Sequence, residues 1–229
     1  HSRVRRQRQM CIRDRHYTIH TITQMFDRQI QNFTQKPLII IAKLFLKFLK
    51  PNQMTILGFI LGFFMCILIF FQFYFAALAL LLLNRFCDGL DGTMARLTTP
   101  TPLGGYLDIV SDFTIYSGFV LAFGFSNSSY TTLSMILLFL YIGTGTTFLA
   151  KAAIQTQLDK ISETNDAIEE LPKSFHYTSG LVEGTETIIF MVLCLLFPNF
   201  FILISIIFGI LCFITFISRV IVCYVEFNL

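Results

Sequence analysis

The sequence is poor in charge. Asp, Glu, Lys and Arg make up 14% of its 229 residues, against 55% hydrophobic, and it has no Trp, taking its aromatic bulk from 27 Phe and 8 Tyr. A soluble domain of this length can hide a large core, but not apolar runs of about 20 residues, the length that crosses a bilayer. The scarcity of charge therefore excludes a soluble fold and leaves an all-α, polytopic membrane protein of one domain. Paired cysteines are also missing. The 6 cysteines are scattered, mostly in apolar runs, with no C-x-x-C and no Cys/His pairing. That removes a zinc site and a disulfide framework and leaves them as small apolar fillers. No internal repeat or low-complexity segment is present, and no apolar stretch of the signal-peptide kind succeeds the basic N-terminus.

Acidic residues are nearly absent from the first 50 positions, which hold Asp14 and Asp27 against 11 of the 17 Lys and Arg. Residues 51–229 reverse the balance, with 6 basic and 12 acidic residues. The basic character thus belongs to the leader, and the apolar sequence downstream of it favours lipid over nucleic acid as its partner. "QMCIRDR" reads as translated adapter sequence and Met25 as the native start. Residues 1–24 are accordingly expected to be a non-native or disordered leader, to which we assign no function. Residues 25–50 are expected to form a juxtamembrane amphipathic helix. In "PLIIIAKLFLKFLK", residues 37–50, Lys43, Lys47 and Lys50 recur at helical i, i+4, i+7 spacing in otherwise apolar sequence. Such a helix lies in the membrane interface with its lysines toward lipid headgroups.

Six spans are expected next, at about 54–71, 75–96, 104–125, 131–155, 179–197 and 200–225, forming one transmembrane domain over 51–229. The pieces "FQFY", "SNSSY" and "PNF" between them carry no charge. Arg85, Arg96, Lys151, Lys160, Lys173 and Arg219 all fall on the opposite side, together with the Lys-rich helix. The positive-inside rule makes that side cytoplasmic, with both termini on it. The one long polar connection is "QLDKISETNDAIEELPKSFHY", residues 157–177, read as a solvated loop in which His176 is a surface residue.

Against this background stand four aspartates in "CDGLDGTMARLTTPTPLGGYLDIVSD", residues 87–112. Asp88 and Asp91 are three apart at the end of the second span, and Asp108 and Asp112 four apart at the start of the third. Positions three or four apart share a helix face, and the short hairpin lets the two pairs converge. Four carboxylates in a half-buried site repel one another. Arg85 and Arg96 do not suffice to neutralise them, whereas divalent cations do. Oxygen-only ligands suit Mg²⁺ or Mn²⁺, and two such ions stabilise attacking and leaving oxygens in phosphoryl transfer. The plainer alternative, helix capping or pairing with distant lysines, accounts for one or two of the four. Gly89, Gly92, Ala95, Gly104 and Gly105 keep the neighbourhood small, for close approach of a ligand or of another helix. The fork of Arg96 suits a phosphate oxygen or a carboxylate.

The stretch resembles the signature of the CDP-alcohol phosphotransferases, D-x2-D-G-x2-A-R, then about eight residues and G-x3-D-x3-D. Asp88, Asp91, Gly92, Ala95, Arg96, Gly104, Asp108 and Asp112 match it. One departure is visible: seven residues separate Arg96 from Gly104, a one-residue shortening of the loop that leaves both helical halves intact. The likeness extends through "PNQMT" before the first span, the interfacial helix and the six spans. It implies cleavage of a CDP-alcohol, such as CDP-diacylglycerol, at its pyrophosphate, release of CMP, and transfer of the phosphoalcohol to a small alcohol acceptor in phospholipid synthesis. It also implies that Asp88, Asp91 and Asp108 hold two Mg²⁺ or Mn²⁺ ions. Asp112 would contribute to the metal site and act as general base. Gly92, Ala95, Arg96 and Gly104 would contact the nucleotide diphosphate, and Asn52 and Thr55 match a nucleotide-contacting stretch more loosely. A homodimer is a further implication, and small-residue stretches such as "YIGTGTTFLA" permit close helix packing.

The acceptor stays open. Glu183 and Glu186, three apart in "GLVEGTET", either bind a cationic amino-alcohol or pair with Lys151 or Arg219. The alternative from another class is a transporter with a carboxylate-lined metal or proton path. It is weakened by the near absence of acids and bases from the middle and outer parts of the spans.

Overall fold

A computed structural model describes residues 37–164 and 182–227, the side chains of 159–164 excepted. The expected leader, the first part of the juxtamembrane segment, and Lys173 and His176 lie outside the described residues. All regular elements among the described residues are helical. In chain order they are α1 (37–45), α2 (Pro51–Phe70), α3 (Tyr74–Leu97), α4 (Pro102–Ser126), α5 (Thr131–Thr164), α6 (Gly184–Leu196) and α7 (Phe201–Phe227). Single 3-10 turns, Ser128–Tyr130 and Pro198–Phe200, precede α5 and α7.

The first segment is shorter than its lysine spacing predicts. Helix α1 stops at residue 45, so Lys43 lies on it while Lys47 and Lys50 fall in the turn beyond. Proline disfavours helical backbone in the residue before it, and Lys50, preceding Pro51, is extended at φ −84°, ψ 155°. Pro51 then opens α2 at the position that needs no N–H partner, and the Lys50 N–H donates to Gln53 Oε1 at 2.8 Å. All three lysines are exposed. The buried side of this segment, with Ala42 at its centre, packs on Met54, Cys87, Leu90 and Met94, behind the aspartate-bearing turns of α3.

Among the described residues, four helical stretches are long and apolar enough to cross a membrane: Pro51–Phe70, Pro102–Ser126, Ser128–Leu158 and Pro198–Phe227. Helix α3 has the length but carries Arg85, Asp88, Asp91 and Arg96. Helix α6 has 13 residues, about 20 Å at 1.5 Å per residue. Helix α5 runs nine residues past the predicted span, taking the first part of the expected polar loop into regular helix.

Two contacts fix how the helices run. The Gln72 amide, in the turn after α2, donates to Ser126 O at the end of α4 at 2.8 Å. The Tyr130 hydroxyl, before α5, donates to Pro198 O, before α7, at 3.3 Å. The turns 71–73, 127–130 and 197–200 therefore gather at one end of the bundle, and the α3–α4 loop lies at the other. Near the turn end, Phe123 stacks on Phe201 at 4.4 Å; deeper in, Phe190 stacks on Phe208 at 4.1 Å. Aromatic pairs of this kind add about 0.5–1.5 kcal/mol beyond area burial.

Toward the loop end the helices approach through glycines. A Cβ on Gly62 would sit 2.5 Å from Ile115 Cδ1 and 3.2 Å from the Asn84 amide nitrogen. The glycines of "YIGTGTTFLA" are used within the chain, Gly143 against Phe216 and Gly145 against Phe113. Overpacking a tight contact costs about 1–3 kcal/mol. Gly62→Leu is therefore expected to lower the unfolding midpoint in detergent by roughly 3–10 °C. Gly105→Ala, where a Cβ meets nothing within 4 Å, leaves it within about 2 °C. Equal midpoints for the two variants would refute the packing role.

Candidate active site

The α3–α4 hairpin is built by local chemistry. Helix α3 ends at Thr98, whose N–H bonds back to Met94 O. Thr101 Oγ1 then accepts the Gly104 N–H at 3.0 Å and caps α4, with Pro102 at its first position. An N-cap of this kind satisfies one of the amides a helix start leaves orphaned. The one-residue shortening of the loop is thus accommodated between two closed helix ends.

Across this hairpin the structure brings three of the four aspartates together. Asp88, Asp91 and Asp108 each place a carboxylate oxygen within 4.8 Å of the other two. Asp91 is 6% exposed, and its Oδ2 is buried without a hydrogen-bond partner. A buried polar atom left unpaired carries a desolvation penalty of about 1–3 kcal/mol, more when charged. An acceptor-only cluster with an orphaned buried oxygen fits a hard divalent cation, whose preferred ligands are oxygens. The residues present therefore suit the Mg²⁺ or Mn²⁺ that the sequence implies.

Asp112 neighbours the triad without sharing its close spacing, and Arg85 touches both Asp112 and Asp88. Asp112 Oδ1 accepts from Arg85 Nη2 at 2.8 Å and its Oδ2 from the Tyr116 hydroxyl at 3.1 Å. Arg85 is the residue that sequence reasoning underrates. Its Nη1 contacts Asp88 Oδ2 at 3.5 Å and donates to the Tyr116 hydroxyl at 3.1 Å, while its Nε donates to Asn84 Oδ1 at 2.8 Å. The buried Asn84 in turn donates to Gly58 O at 2.8 Å. The i, i+3 spacing of Arg85 and Asp88 is a legible signal; the links to Asp112 and Tyr116, on another helix, are not.

Beside the triad opens a cavity of about 720 Å³ between the start of α2, the end of α3 and the start of α4. Asn52, Thr55, Gly92, Ala95, Arg96 and Gly104 all line it, as do Asp91 and Asp108. Small residues give it room. A Cβ on Gly104 would lie 3.0 Å from Asn52 Oδ1, and one on Gly92 would lie 3.5 Å from Arg96 Nη1. Thr93 Oγ1 accepts from Arg96 Nη2 at 3.0 Å while donating to Gly89 O at 2.9 Å, which orients the guanidinium at the cavity rim. The pocket thus combines carboxylates on one side, a cation on another and backbone open to close approach.

The two glutamates singled out in the sequence are placed differently from each other. Glu186 Oε2 accepts the Glu183 N–H at 2.9 Å and caps α6. Glu183 Oε1 stands 4.0 Å from Arg219 Nη2. Lys151 pairs with Glu226 at 2.8 Å, a residue that sequence reasoning leaves unassigned. Arg219 also donates to Thr144 O at 3.2 Å.

A family model described as CDP-alcohol phosphatidyltransferase matches residues 48–217. The chain is also 42% identical over 178 residues to the inner membrane protein YnjF of Escherichia coli (strain K12), a match that covers 75% of this chain and 82% of that protein.

Proposed function

The chain belongs to the CDP-alcohol phosphatidyltransferase family, and from that premise we propose that it transfers a phosphoalcohol group, a phosphatidyl group in our reading, from CDP-diacylglycerol or a related CDP-alcohol to a small alcohol, releasing CMP. The observation that carries this reading is the three-carboxylate cluster, two of whose members, Asp91 and Asp108, line a cavity rimmed by Arg96. In it, Asp88, Asp91 and Asp108, with a contribution from Asp112, would hold Mg²⁺ or Mn²⁺, two ions in our reading, which when bound would offset charge on the diphosphate and on departing CMP. Arg96 holds a phosphate oxygen, and Gly92, Ala95 and Gly104 admit the diphosphate close to the backbone. Asn52 and Thr55 bind the nucleotide from the α2 side. Asp112 takes the proton from the acceptor hydroxyl as it attacks; its carboxylate must lie within hydrogen-bond reach of that hydroxyl.

Six spans would make this site interfacial. The parallel course of α2 and α4 and the turn contacts of α4–α5 and α6–α7 support return crossings by α3 and α6. The charged residues then lie at one end, which the positive-inside rule assigns to the cytoplasm, and the termini with it. Segment 37–50 rests in the headgroup layer on that side, and exposed apolar helix faces give a second copy of the chain a surface for a homodimer.

The deciding experiment incubates purified protein with CDP-diacylglycerol and a panel of alcohols, monitoring CMP and lipid product by mass spectrometry. Mn²⁺-dependent CMP release with one acceptor converted to lipid is expected. Metal flux into liposomes without nucleotide turnover would instead establish a transporter.

A further inference from the structure

The donor cavity touches one side of the carboxylate cluster. Asp91 and Asp108 line it, together with residues of α2, α3 and α4. In phosphoryl transfer the attacking and leaving oxygens stand roughly in line, so an acceptor arrives from the side opposite departing CMP. Asp112 lies outside the cavity lining, and Phe113, its neighbour in sequence, packs against Gly145 of α5. At this same level, Arg219 of α7 donates to Thr144 O at 3.2 Å, and its Nη2 stands 4.0 Å from Glu183 Oε1 at the start of α6. Lys151 is set against Glu226 at 2.8 Å. Among the described side chains, both cations of α5–α7 are thus offset by carboxylates. We propose that the Glu183–Arg219 pair selects the acceptor, admitting an alcohol without net charge and turning away a phosphorylated one. This rests on the phosphotransfer reading above and names the class of its second substrate.

The local structure holds the pair in place. The Val182 N–H donates to Thr215 Oγ1 at 3.1 Å, which ties the start of α6 to α7 one turn before Arg219. The Glu183 N–H goes to Glu186 Oε2 at 2.9 Å, and the Thr187 hydroxyl donates to Glu183 O at 2.9 Å. The Arg219 side chain is 13% exposed and that of Glu183 49%, so the carboxylate is the member a solute meets first. A helix start attracts phosphate through its open N–H groups and its dipole. Here Glu183 is the N-cap and Glu186 lies in the first turn, so that end of α6 already carries acidic side chains. A phosphate monoester brings a charge of about −1.5 to −2 at neutral pH. Glu183 repels it, and the charge of Arg219 is already offset. Alcohol hydroxyls suit the pair, because they donate to a carboxylate and accept from a guanidinium. Discrimination by a like charge set against the wrong ligand is a general route to specificity.

The test uses full-length protein in detergent with CDP-diacylglycerol and Mn²⁺. CMP release is measured with glycerol, serine and inositol, each beside its own phosphate monoester. The wild type is expected to favour the best alcohol over its monoester at least tenfold in kcat/KM. Glu183→Gln should shift that ratio about tenfold toward the monoester, with KM for CDP-diacylglycerol within about threefold. Arg219→Gln should shift the ratio the other way, and the double variant should return it to within about threefold of the wild type. A merely structural role would lower both activities together and leave the ratio unmoved. If Arg219→Gln does not fold, the half-exposed Glu183 decides the matter alone. A wild type that uses a monoester as well as its parent alcohol, or an unmoved ratio in active Glu183→Gln, would overturn the selection and leave phosphotransfer standing. No CMP release with any acceptor would overturn both.

Discussion

Asp91→Asn is expected to lower CMP release by roughly 10³-fold or more while making the metal-free protein more stable. The two effects have one cause. Asp91 is 6% exposed, its Oδ2 has no hydrogen-bond partner, and two other carboxylates lie within 4.8 Å of it. Without a cation this arrangement is unfavourable, because like charges at short range in a partly buried site repel strongly. An amide of the same shape removes one of those charges. The midpoint of unfolding in metal-free detergent should therefore rise by about 3 °C, equivalent to about 1 kcal/mol at this size. Adding Mn²⁺ reverses the order. A ligand present at 100 times its dissociation constant stabilises by about 2.7 kcal/mol, which the wild type gains and the variant does not. Thermal unfolding with and without Mn²⁺, beside CMP release, reads both halves. Equal Mn²⁺ stabilisation of both proteins would remove Asp91 from the cation site. The trade of stability against activity is what a site assembled for catalysis predicts.

The second large effect is expected at Asp112. Replacing it with Asn should lower kcat about 10²–10⁴-fold, the usual contribution of a general base, with KM for the CDP-alcohol within about threefold. Asn retains a carbonyl oxygen that accepts from Arg85, so the shape of the network around Arg85 and Tyr116 is largely kept. What would be lost is the group proposed to take the proton. Steady-state kinetics over a range of donor concentrations separate the two parameters, and they distinguish this residue from the triad, whose loss also removes the cation. Wild-type kcat in Asp112→Asn would end its assignment as base. A rise in KM alone would make it a binding residue instead.

Both predictions begin from residues visible in the sequence, and the difference between them does not. The i, i+3 and i, i+4 spacings place Asp88 with Asp91 and Asp108 with Asp112 on shared faces, which treats the four as equivalent. In the folded protein Asp88, Asp91 and Asp108 gather most closely, while Arg85 reaches across to Asp112, 27 residues away, and touches Asp88 as well. Helical spacing gives neighbours on one helix and is silent on the rotation of the next. The same limit applies at Lys151. Charge counting offers Lys151 or Arg219 as partners of Glu183 and Glu186; the structure sets Glu183 against Arg219 and pairs Lys151 with Glu226 near the end of α7. The lysine stripe of 37–50 fails for a different reason. Its periodicity runs through a segment that turns before Pro51, so three lysines of helical spacing do not share one helix.

The sequence by itself determined the membrane class, the helix bounds to within a few residues for α2 to α4 and α7, and the four aspartates at one end of a hairpin. Hydrophobic run length and 3.6-residue periodicity are local properties, and a bilayer converts them directly into helices. Only the tertiary structure decided which carboxylates come within 4.8 Å of one another, that Arg85 and Tyr116 hold the fourth, and that Gly62 and Gly145 serve packing within the chain. Those choices depend on how helices rotate and slide against one another. That is set by the summed fit of many side chains from distant parts of the chain, and no short stretch contains it.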